Sequence, residues 1–200
     1  MIIFSDDIER VKNTVLFFVL HTKHVGITKL CKLLYFSDID CYIKTGFKIT
    51  ELEYRAQERG PVPTQIWAEL QTEMPRNAIK YNIQNVVKRE RGHSTRAESD
   101  EKYFVARKNQ HFNSDFFTEN ELEILQKNAD KYKETVGTQM SEESHLEGKP
   151  WEQTWNGGIG KGKIIDFDLD LGLNSNTDNI RRIKEAQKRA NASQEIVESL

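Results

Sequence analysis

A glycine-rich segment near the carboxyl end of the chain has the spacing of a phosphate-binding loop. Gly157 to Lys163 fits G-x-x-x-x-G-K, in which backbone N–H groups hold phosphates and the lysine contacts the outer phosphates. Ile164 stands where such a loop needs Ser or Thr for magnesium, and Trp151 to Trp155 predict a helical turn where a strand is required. We therefore predict a flexible loop here, and a nucleotide-dependent enzyme is the rival hypothesis.

Carboxylates just after this loop alternate as they do in calcium loops. Asp166, Asp168 and Asp170 follow D-x-D-x-D, but Leu171 and Thr177 occupy the positions that need glycine and glutamate. The pattern favours a solvated strand face carrying three carboxylates.

His21, His24 and Cys31 could begin a metal site near the end of the first predicted helix. A structural zinc site needs four ligands, and no fourth partner has a suitable spacing. Histidines near a helix C-terminus interact well with its dipole, and cysteine in an apolar helix is usually packed. We predict no catalytic residue, no cofactor and no metal.

Two carboxylates interrupt a hydrophobic helix, at Asp38 and Asp40. A carboxylate that faces the core needs a charged or hydrogen-bonding partner. Arg55 and Arg59 lie in the segment expected to pack nearby, so we predict a structural ion pair and not a catalytic acid.

Helical periodicity dominates the first part of the chain. It predicts a first helix after Asp6 or Asp7, a second from about Thr28 to Lys44, and a third that begins at Pro63. The second ends at a Thr-Gly pair, because glycine readily forms a left-handed C-terminal cap.

The hydrophobic period then changes to two. Ile79, Tyr81 and Ile83 alternate with polar residues and predict a strand, with Tyr103 to Val105 as its antiparallel mate. The polar segment Lys88 to Lys102 is predicted to be a mobile hairpin loop.

Helices return in the second half. Thr118 and Glu121 predict a capping box that opens a helix closed by Gly137, and two shorter helices follow, at about Ser141 to Leu146 and from Pro150. The fold class is α+β and mainly α-helical. We predict a single globular domain with a small antiparallel β-hairpin, residues 1–173, and a C-terminal helical extension, residues 174–200.

Composition excludes several classes of protein. The 200 residues carry 29 Lys+Arg against 31 Asp+Glu, so the strongly basic footprint of a general nucleic-acid coat is absent. Two cysteines rule out a disulfide framework. The longest apolar run, Val15 to Leu20, is far shorter than the roughly 20 residues of a membrane span. We expect a cytoplasmic protein with no membrane contact, and nucleic acid is disfavoured as a partner.

Charge is distributed unevenly along the chain. Residues 75–112 hold nine basic and four acidic side chains, whereas residues 113–155 hold four basic and ten acidic ones. A basic hairpin beside an acidic helix could be a nucleic-acid wing, half of an electrostatically steered protein interface, or a solvated surface.

Several short motifs, taken together, resemble the Panacea domain of SocA-like antitoxins and their phage, prophage and mobile-element relatives. The first half carries Lys32-Leu33-Leu34-Tyr35-Phe36-Ser37-Asp38, Thr45-Gly46, Ile49-Thr50, Tyr54-Arg55-Ala56 and Gly60-Pro61-Val62-Pro63. The second half carries a capped helix after Phe117-Thr118, then Ser144-His145 and Pro150-Trp151. The resemblance covers about Ile8 to Trp155. Arg59 departs from it, because an aromatic residue is expected there.

The resemblance implies an antitoxin that neutralises a protein toxin encoded by an adjacent gene, by direct protein–protein contact that blocks its active site. Toxins of such systems include toxic small alarmone synthetases, nucleases and membrane-active peptides. Some relatives are adaptors that deliver a toxin to a ClpXP-type protease. The assembly is expected to be either a homodimer or a heterotetramer with the toxin.

The motif residues are expected to form the structural centre of the family. They are Tyr35, Phe36, Asp38, Gly46, Tyr54, Gly60, Pro61, Val62, Pro63 and Trp151. Candidate toxin-binding residues are charged ones on the hairpin and on the C-terminal helix: Lys88, Arg89, Arg91, Arg181, Arg182 and Lys184. A DNA-binding regulator that uses the hairpin as a wing is the remaining alternative.

Overall fold

Helices dominate the computed structural model, which describes residues 5–71, 80–91, 102–170 and 177–198. The α-helices are α1 (Ser5–His21), α2 (Ile27–Thr45), α3 (Thr64–Gln71), α4 (Glu119–Lys131), α5 (Gly137–Ser144), α6 (Pro150–Trp155) and α7 (Thr177–Glu198). The strands are β1 (Tyr54–Gln57), β2 (Gly60–Pro63), β3 (Val87–Arg91) and β4 (Lys102–Ala106), with 3₁₀ turns at Ile83–Asn85, Ser114–Phe116 and Asn156–Gly158. The fold is α+β and mainly helical, as predicted.

Helix α2 lies at the centre of the core. Leu30, Leu33 and Leu34 are completely buried, and the helix packs against α1, α4, α5 and β2. A helix that is apolar on nearly all sides must be covered on nearly all sides. The predicted stop is confirmed: Gly46 adopts a left-handed conformation with φ of 84°, and its N–H donates to the carbonyl of Tyr42 at 2.8 Å.

Two antiparallel hairpins complete the described fold. One pairs β1 with β2, from Tyr54 opposite Pro63 to Gln57 opposite Gly60. The other pairs β3 with β4 and contains the predicted mate, Tyr103 to Val105. The predicted β-hairpin is therefore present. The sequence analysis missed the β1–β2 pair, because it placed Pro63 at the start of the third helix, whereas Pro63 ends β2 and α3 begins at Thr64.

The first strand of the predicted hairpin was misplaced. Ile79 lies outside the described residues, Tyr81 lies in a bend, and Ile83 begins a 3₁₀ turn, whereas the strand starts at Val87. The carboxylate of Glu69 accepts the backbone N–H groups of Tyr81 at 2.8 Å and Ile83 at 3.1 Å. These donors are thus unavailable to a strand ladder, and the alternating pattern instead buries two side chains of an irregular segment.

The capping box at the start of α4 is confirmed. Thr118 accepts from the backbone N–H of Glu121, and the Glu121 carboxylate accepts from the backbone N–H of Thr118. The helix stops at Lys131, earlier than predicted, and Gly137 begins α5. A Cβ at Gly137 would lie 3.0 Å from the backbone nitrogen of Lys29, so glycine there lets α5 approach the start of α2.

The glycine-rich segment is hydrogen-bonded to β1, which contradicts the prediction of a flexible loop. The N–H of Gly162 donates to the carbonyl of Ala56 at 2.7 Å, and the N–H of Ala56 donates to the carbonyl of Lys163 at 2.9 Å. The N–H of Ile165 donates to Tyr54 at 2.8 Å. Residues 162–165 therefore extend the first hairpin by a third backbone segment.

Helix α7 is attached through one face of its first half. Ile183 is buried, and the side-chain amide of Gln187 donates to the carbonyl of Gly46 at 2.7 Å. Lys184 pairs with Asp168. Among the described segments, no helix combines the length and the apolar character needed to cross a bilayer.

Candidate functional site: a buried polar centre and two charged surfaces

Asp38, on α2, holds the segment that follows the helix. Its Oδ1 accepts the backbone N–H groups of Ile49 and Thr50, each at 2.9 Å. Its Oδ2 accepts the hydroxyl of Thr50, and that of Tyr54 at 2.8 Å. Burial raises the pKa of Asp38, and the hydrogen bonds from Thr50 and Tyr54 oppose that rise. The carboxylate thus ties α2 to β1.

The predicted ion pair of Asp38 with Arg55 or Arg59 is wrong. Arg55 pairs with Glu53 at 2.9 Å, and the donors around Asp38 are backbone N–H groups and hydroxyls. Several neutral donors stabilise a buried carboxylate without the cost of burying a guanidinium beside it. Asp40, two residues on, faces the surface and pairs with Lys127 at 3.3 Å.

Aromatic rings pack on Tyr54 and along α2. Tyr35 and Tyr54 pack edge to face with centroids 5.4 Å apart, and Phe167 stacks on Tyr54 at 5.8 Å. Phe36 stacks on Tyr132 at 5.2 Å. Burial raises the pKa of Tyr35 above its usual range, and its hydroxyl is buried with no hydrogen-bond partner in the described part of the chain.

A second buried polar group lies where α2 meets β2 and α5. The ammonium of Lys32 donates to the backbone carbonyl of Arg59 at 2.8 Å. A Cβ built on Gly60, whose φ is 103°, would overlap this ammonium and would lie 2.9 Å from Ser144 Oγ and 3.0 Å from His145 Nε2. Glycine at position 60 therefore leaves room for three polar side chains to meet.

Burial sets the protonation of this group. It lowers the pKa of Lys32 to about 7, and it lowers the pKa of Lys29, one turn earlier, to about 8. Burial and the charge of Lys32 also lower the pKa of His145, against the opposing effect of the Arg59 backbone. Lys32 and His145, the two bases of this group, therefore both have lowered pKa values.

The remaining motif residues connect these two groups. Trp151 donates its indole N–H to the carbonyl of Gln57 at 3.0 Å and stacks on His145 with centroids 3.7 Å apart. Pro61, Val62 and Pro63 form β2 opposite β1. Most of the motif residues therefore lie where α2, the first hairpin, α5 and α6 meet, whereas Gly46 lies at the end of α2 beside α7. Their role as the family's structural centre stays a prediction.

The sequence analysis did not assign a role to Lys32, Ser144 and His145. The available signal was a lysine inside the apolar run of α2, because a charged residue on a buried face requires a partner. Lys32 and Ser144 are each only 1% exposed. The Lys32 bond to the carbonyl of Arg59 ties α2 to the turn that precedes β2.

The residues considered for a metal site make contacts within the fold. Burial raises the pKa of Cys31 to about 12, so that this thiol keeps its proton at neutral pH. His21 Nδ1 lies 2.8 Å from the carbonyl of Phe17. Within the described ranges, no three His, Cys, Asp or Glu residues are grouped to hold a metal ion.

The predicted solvated strand face at Asp166, Asp168 and Asp170 is wrong. Asp166 is exposed, but Asp168 accepts from the hydroxyl of Tyr42 at 2.6 Å, and Asp170 is buried beside Lys149 at 3.5 Å. Asp166 accepts only the backbone N–H of Asp168 at 2.9 Å among the described residues, so the three carboxylates have different environments, which residue spacing alone does not reveal.

The candidate residues of the β3–β4 hairpin are partly committed to contacts within the chain. Lys88 pairs with Glu90 at 2.5 Å, while Arg89 donates to the carbonyl of Gln71 at 3.2 Å and lies over the ring of Phe104. Arg91 ends β3, and its side chain lies outside the described part of the structure.

On α7, the three candidate cations differ. Arg181 pairs with Asp178 at 3.4 Å within the helix, and Lys184 pairs with Asp168. Arg182 is exposed, with no hydrogen bond or ion pair to the described residues. It is therefore the cation of the three most available to a partner.

The two candidate surfaces lie at opposite ends of α2. The β3–β4 hairpin contacts the segment just before α2, because the N–H of Phe104 donates to the carbonyl of Val25 at 2.8 Å. Helix α7 contacts Gly46, just after α2. The 19 residues of α2 span about 28 Å at 1.5 Å per residue, so the structure does not bring the surfaces together.

A surface groove of about 340 Å³, which the sequence analysis missed, lies between α2, α4 and α5. Phe36 and Tyr132 contribute aromatic rings to it. Three ion pairs surround it: Asp40–Lys127 at 3.3 Å, Lys131–Glu143 at 2.5 Å and Lys149–Asp170 at 3.5 Å. Its charges are thus already paired within the chain.

Comparison with known proteins places the chain in a family. The family model described as antitoxin SocA-like, Panacea domain, matches residues 30–152. The chain belongs to the SocA-like antitoxin family. No curated protein and no solved structure matches it. The matched part of this SocA-like protein extends from α2 to the start of α6 and contains Asp38, Tyr54 and the Lys32 group. The glycine-rich segment and α7 lie outside it.

Proposed function

We propose that this SocA-like protein is an antitoxin that binds the protein toxin encoded beside it and blocks the toxin's active site by direct contact. The match of the Panacea domain over residues 30–152 carries the proposal. The polar residues of that domain also support it. Asp38 and Lys32 are buried and bonded to the chain's own backbone, so the domain offers a scaffold and leaves recognition to its surface.

The candidate contact residues are those of the hairpin, Lys88, Arg89 and Arg91, and those of α7, Arg181, Arg182 and Lys184. A typical stable interface buries about 800 Å² on each partner, which corresponds to a patch about 30 Å across. A toxin centred on one end of α2 would therefore contact one of the two surfaces much more extensively. Arg182 favours the α7 end, because it is exposed and has no ion pair to the described residues.

Co-expression tests the proposal directly. The product of the adjacent gene should arrest growth when produced alone, and this chain should restore growth and co-purify with it. Arg182→Glu should weaken co-purification, whereas Lys108→Glu, at an exposed position after β4, serves as the control. Arrest that this chain does not relieve would overturn the proposal.

The same experiment separates the other hypotheses. A proteolytic adaptor would restore growth only while a ClpXP-type protease is active, and the toxin level would fall. A DNA-binding regulator would bind duplex DNA with an affinity that falls steeply as salt is added. A direct inhibitor should restore growth without the protease and leave the toxin level unchanged.

A further inference from the structure

The segment Asn156–Ile164 presents exposed apolar residues on a backbone that is held in place. Ile159 is 77% exposed and Ile164 is 50% exposed. The N–H of Lys163 donates to the carbonyl of Gly160 at 3.0 Å, which closes a turn. The two isoleucines flank that turn, and Ile164 is bridged to Arg55 of β1. We call this segment the isoleucine loop.

Hydrogen bonds fix the isoleucine loop at both ends. At its start, the N–H of Gly160 donates to the carbonyl of Trp155 at 3.0 Å, and the N–H of Ile159 donates to Asn156 at 3.2 Å. At its end, the N–H of Gly162 donates to β1. A Cβ at Gly160 would collide with the carbonyl of Thr154, so the backbone is closely packed there. Ile159 is thus held in a defined position before any partner arrives.

The loop itself carries two cations, whereas the exposed carboxylate of Asp166 follows two residues after Ile164. Lys161 and Lys163 are exposed, and neither makes a side-chain hydrogen bond or ion pair with the residues that the structure describes. Single exposed hydrophobic residues are common on protein surfaces. An isoleucine that is 77% exposed on a hydrogen-bonded turn, with two lysines close by in the chain, is a more specific arrangement, because it combines an apolar anchor with positive charge.

The isoleucine loop adjoins the α7 surface. Asp168, four residues after Ile164, pairs with Lys184 on α7. Four residues of extended chain span at most about 14 Å. A patch about 30 Å across can therefore include both the loop and the first half of α7, whereas the β3–β4 hairpin lies at the other end of α2.

We propose that the isoleucine loop is the anchor of toxin recognition, with Ile159 entering an apolar pocket whose rim carries carboxylates that pair with Lys161 and Lys163. This inference rests on the proposed antitoxin function and specifies the partner's surface. An anchor that is ordered in advance binds without an additional ordering cost. The loop follows residue 152, where the family match ends, so it can determine the choice of toxin without altering the shared domain.

The test measures the affinity of the full chain for the purified product of the adjacent gene. Ile159→Ser should weaken binding at least about tenfold, the factor that corresponds to about 1.4 kcal/mol. The double variant Lys161→Glu/Lys163→Glu should weaken it further and should reduce the salt dependence of association. All these positions are exposed, so the variants should keep the circular dichroism and melting temperature of the parent.

Two matched controls isolate the effect. Val136→Ser changes a residue that is 46% exposed at the N-cap of α5, where serine is favourable, and should bind normally. Lys102→Glu/Lys108→Glu makes the same charge change near β4 and should bind within about twofold of the parent.

Each outcome supports or overturns the inference. If the parent binds and both loop variants bind equally well, the inference is wrong and the antitoxin function stands. If the parent does not bind the product of the adjacent gene, the inference and the proposed antitoxin function are both wrong. If the parent sediments as a dimer that Ile159→Ser dissociates, the loop is a contact between copies of this chain, and the inference is also wrong.

Discussion

The hydroxyl of Tyr54 on β1 donates to Asp38 Oδ2 on α2 across 2.8 Å, in a site from which water is excluded. The same carboxylate receives two backbone N–H groups from the segment that leads into β1. One side chain therefore sets the position of the first hairpin relative to the central helix. The hairpin in turn carries the isoleucine loop.

Removing this carboxylate should be severely destabilising. Asp38→Ala leaves four buried donors without an acceptor, and each unsatisfied donor costs about 1–3 kcal/mol. We expect a loss of at least about 3 kcal/mol in the free energy of unfolding, measured by urea denaturation. Tyr54→Phe alone should cost about 1 kcal/mol.

The double variant tests whether the two residues act as a pair. Once Asp38 is gone, Tyr54→Phe should cost little, so the cycle should show a coupling of about 1 kcal/mol. Tyr81→Phe, whose ring lies near Glu69, should add independently to Asp38→Ala and is the control. Additive losses for Asp38 and Tyr54 would contradict the assigned bond.

Adding a methyl group at Gly60 should disrupt the Lys32 group. In Gly60→Ala the new Cβ overlaps the Lys32 ammonium and requires a φ of 103°, which alanine rarely adopts. Gly162→Ala is the matched control, because its φ is 80° but nothing lies within 4 Å of the new Cβ. We expect Gly60→Ala to lower the melting temperature much more than Gly162→Ala does. The additional loss in the free energy of unfolding should be about 2 kcal/mol. Equal losses would mean that backbone strain alone explains both.

The buried ammonium of Lys32 should make stability depend on pH. Its pKa is lowered to about 7, so between about pH 7 and pH 10 the unfolded chain binds more protons than the folded chain at this site. The contribution of Lys32 to stability should therefore rise with pH over that window. In Lys32→Met this contribution disappears, so the stability of the parent relative to the variant should rise by up to about 1.4 kcal/mol per pH unit.

Chemical denaturation at a series of pH values from 7.5 to 9.5 measures this difference. Lys161→Met removes an exposed ammonium and is the control. Its difference in stability from the parent should stay constant over this pH series. A difference between parent and Lys32→Met that stays constant with pH would show that Lys32 is not desolvated in the folded protein.

The cap of α4 should contribute measurably to stability. Thr118→Ala removes the acceptor for the Glu121 N–H and should cost about 1 kcal/mol, seen as a lower urea midpoint with an unchanged slope. Glu119→Ala, in the same first turn, removes only a favourable interaction with the helix dipole and should cost less than half as much. Equal costs would indicate that the cap bond is not formed in solution.

The sequence alone predicted the features that depend on residues close together in the chain. The Thr118–Glu121 box and the Gly46 stop were predictable because their hydrogen bonds close within a few residues. The fold class followed from helical periodicity for the same reason. The motifs that resemble the Panacea domain were also legible in the sequence, and the family match over residues 30–152 confirms that resemblance.

Tertiary structure decided whatever depends on residues distant in sequence. Glu69 took the donors of Tyr81 and Ile83 and replaced a predicted strand with an irregular segment. β1 bound the glycine-rich segment that was predicted to be flexible. In each case a polar group was satisfied by a partner more than ten residues away, and the spacing of residues along the chain does not encode which distant partner a buried polar group will meet.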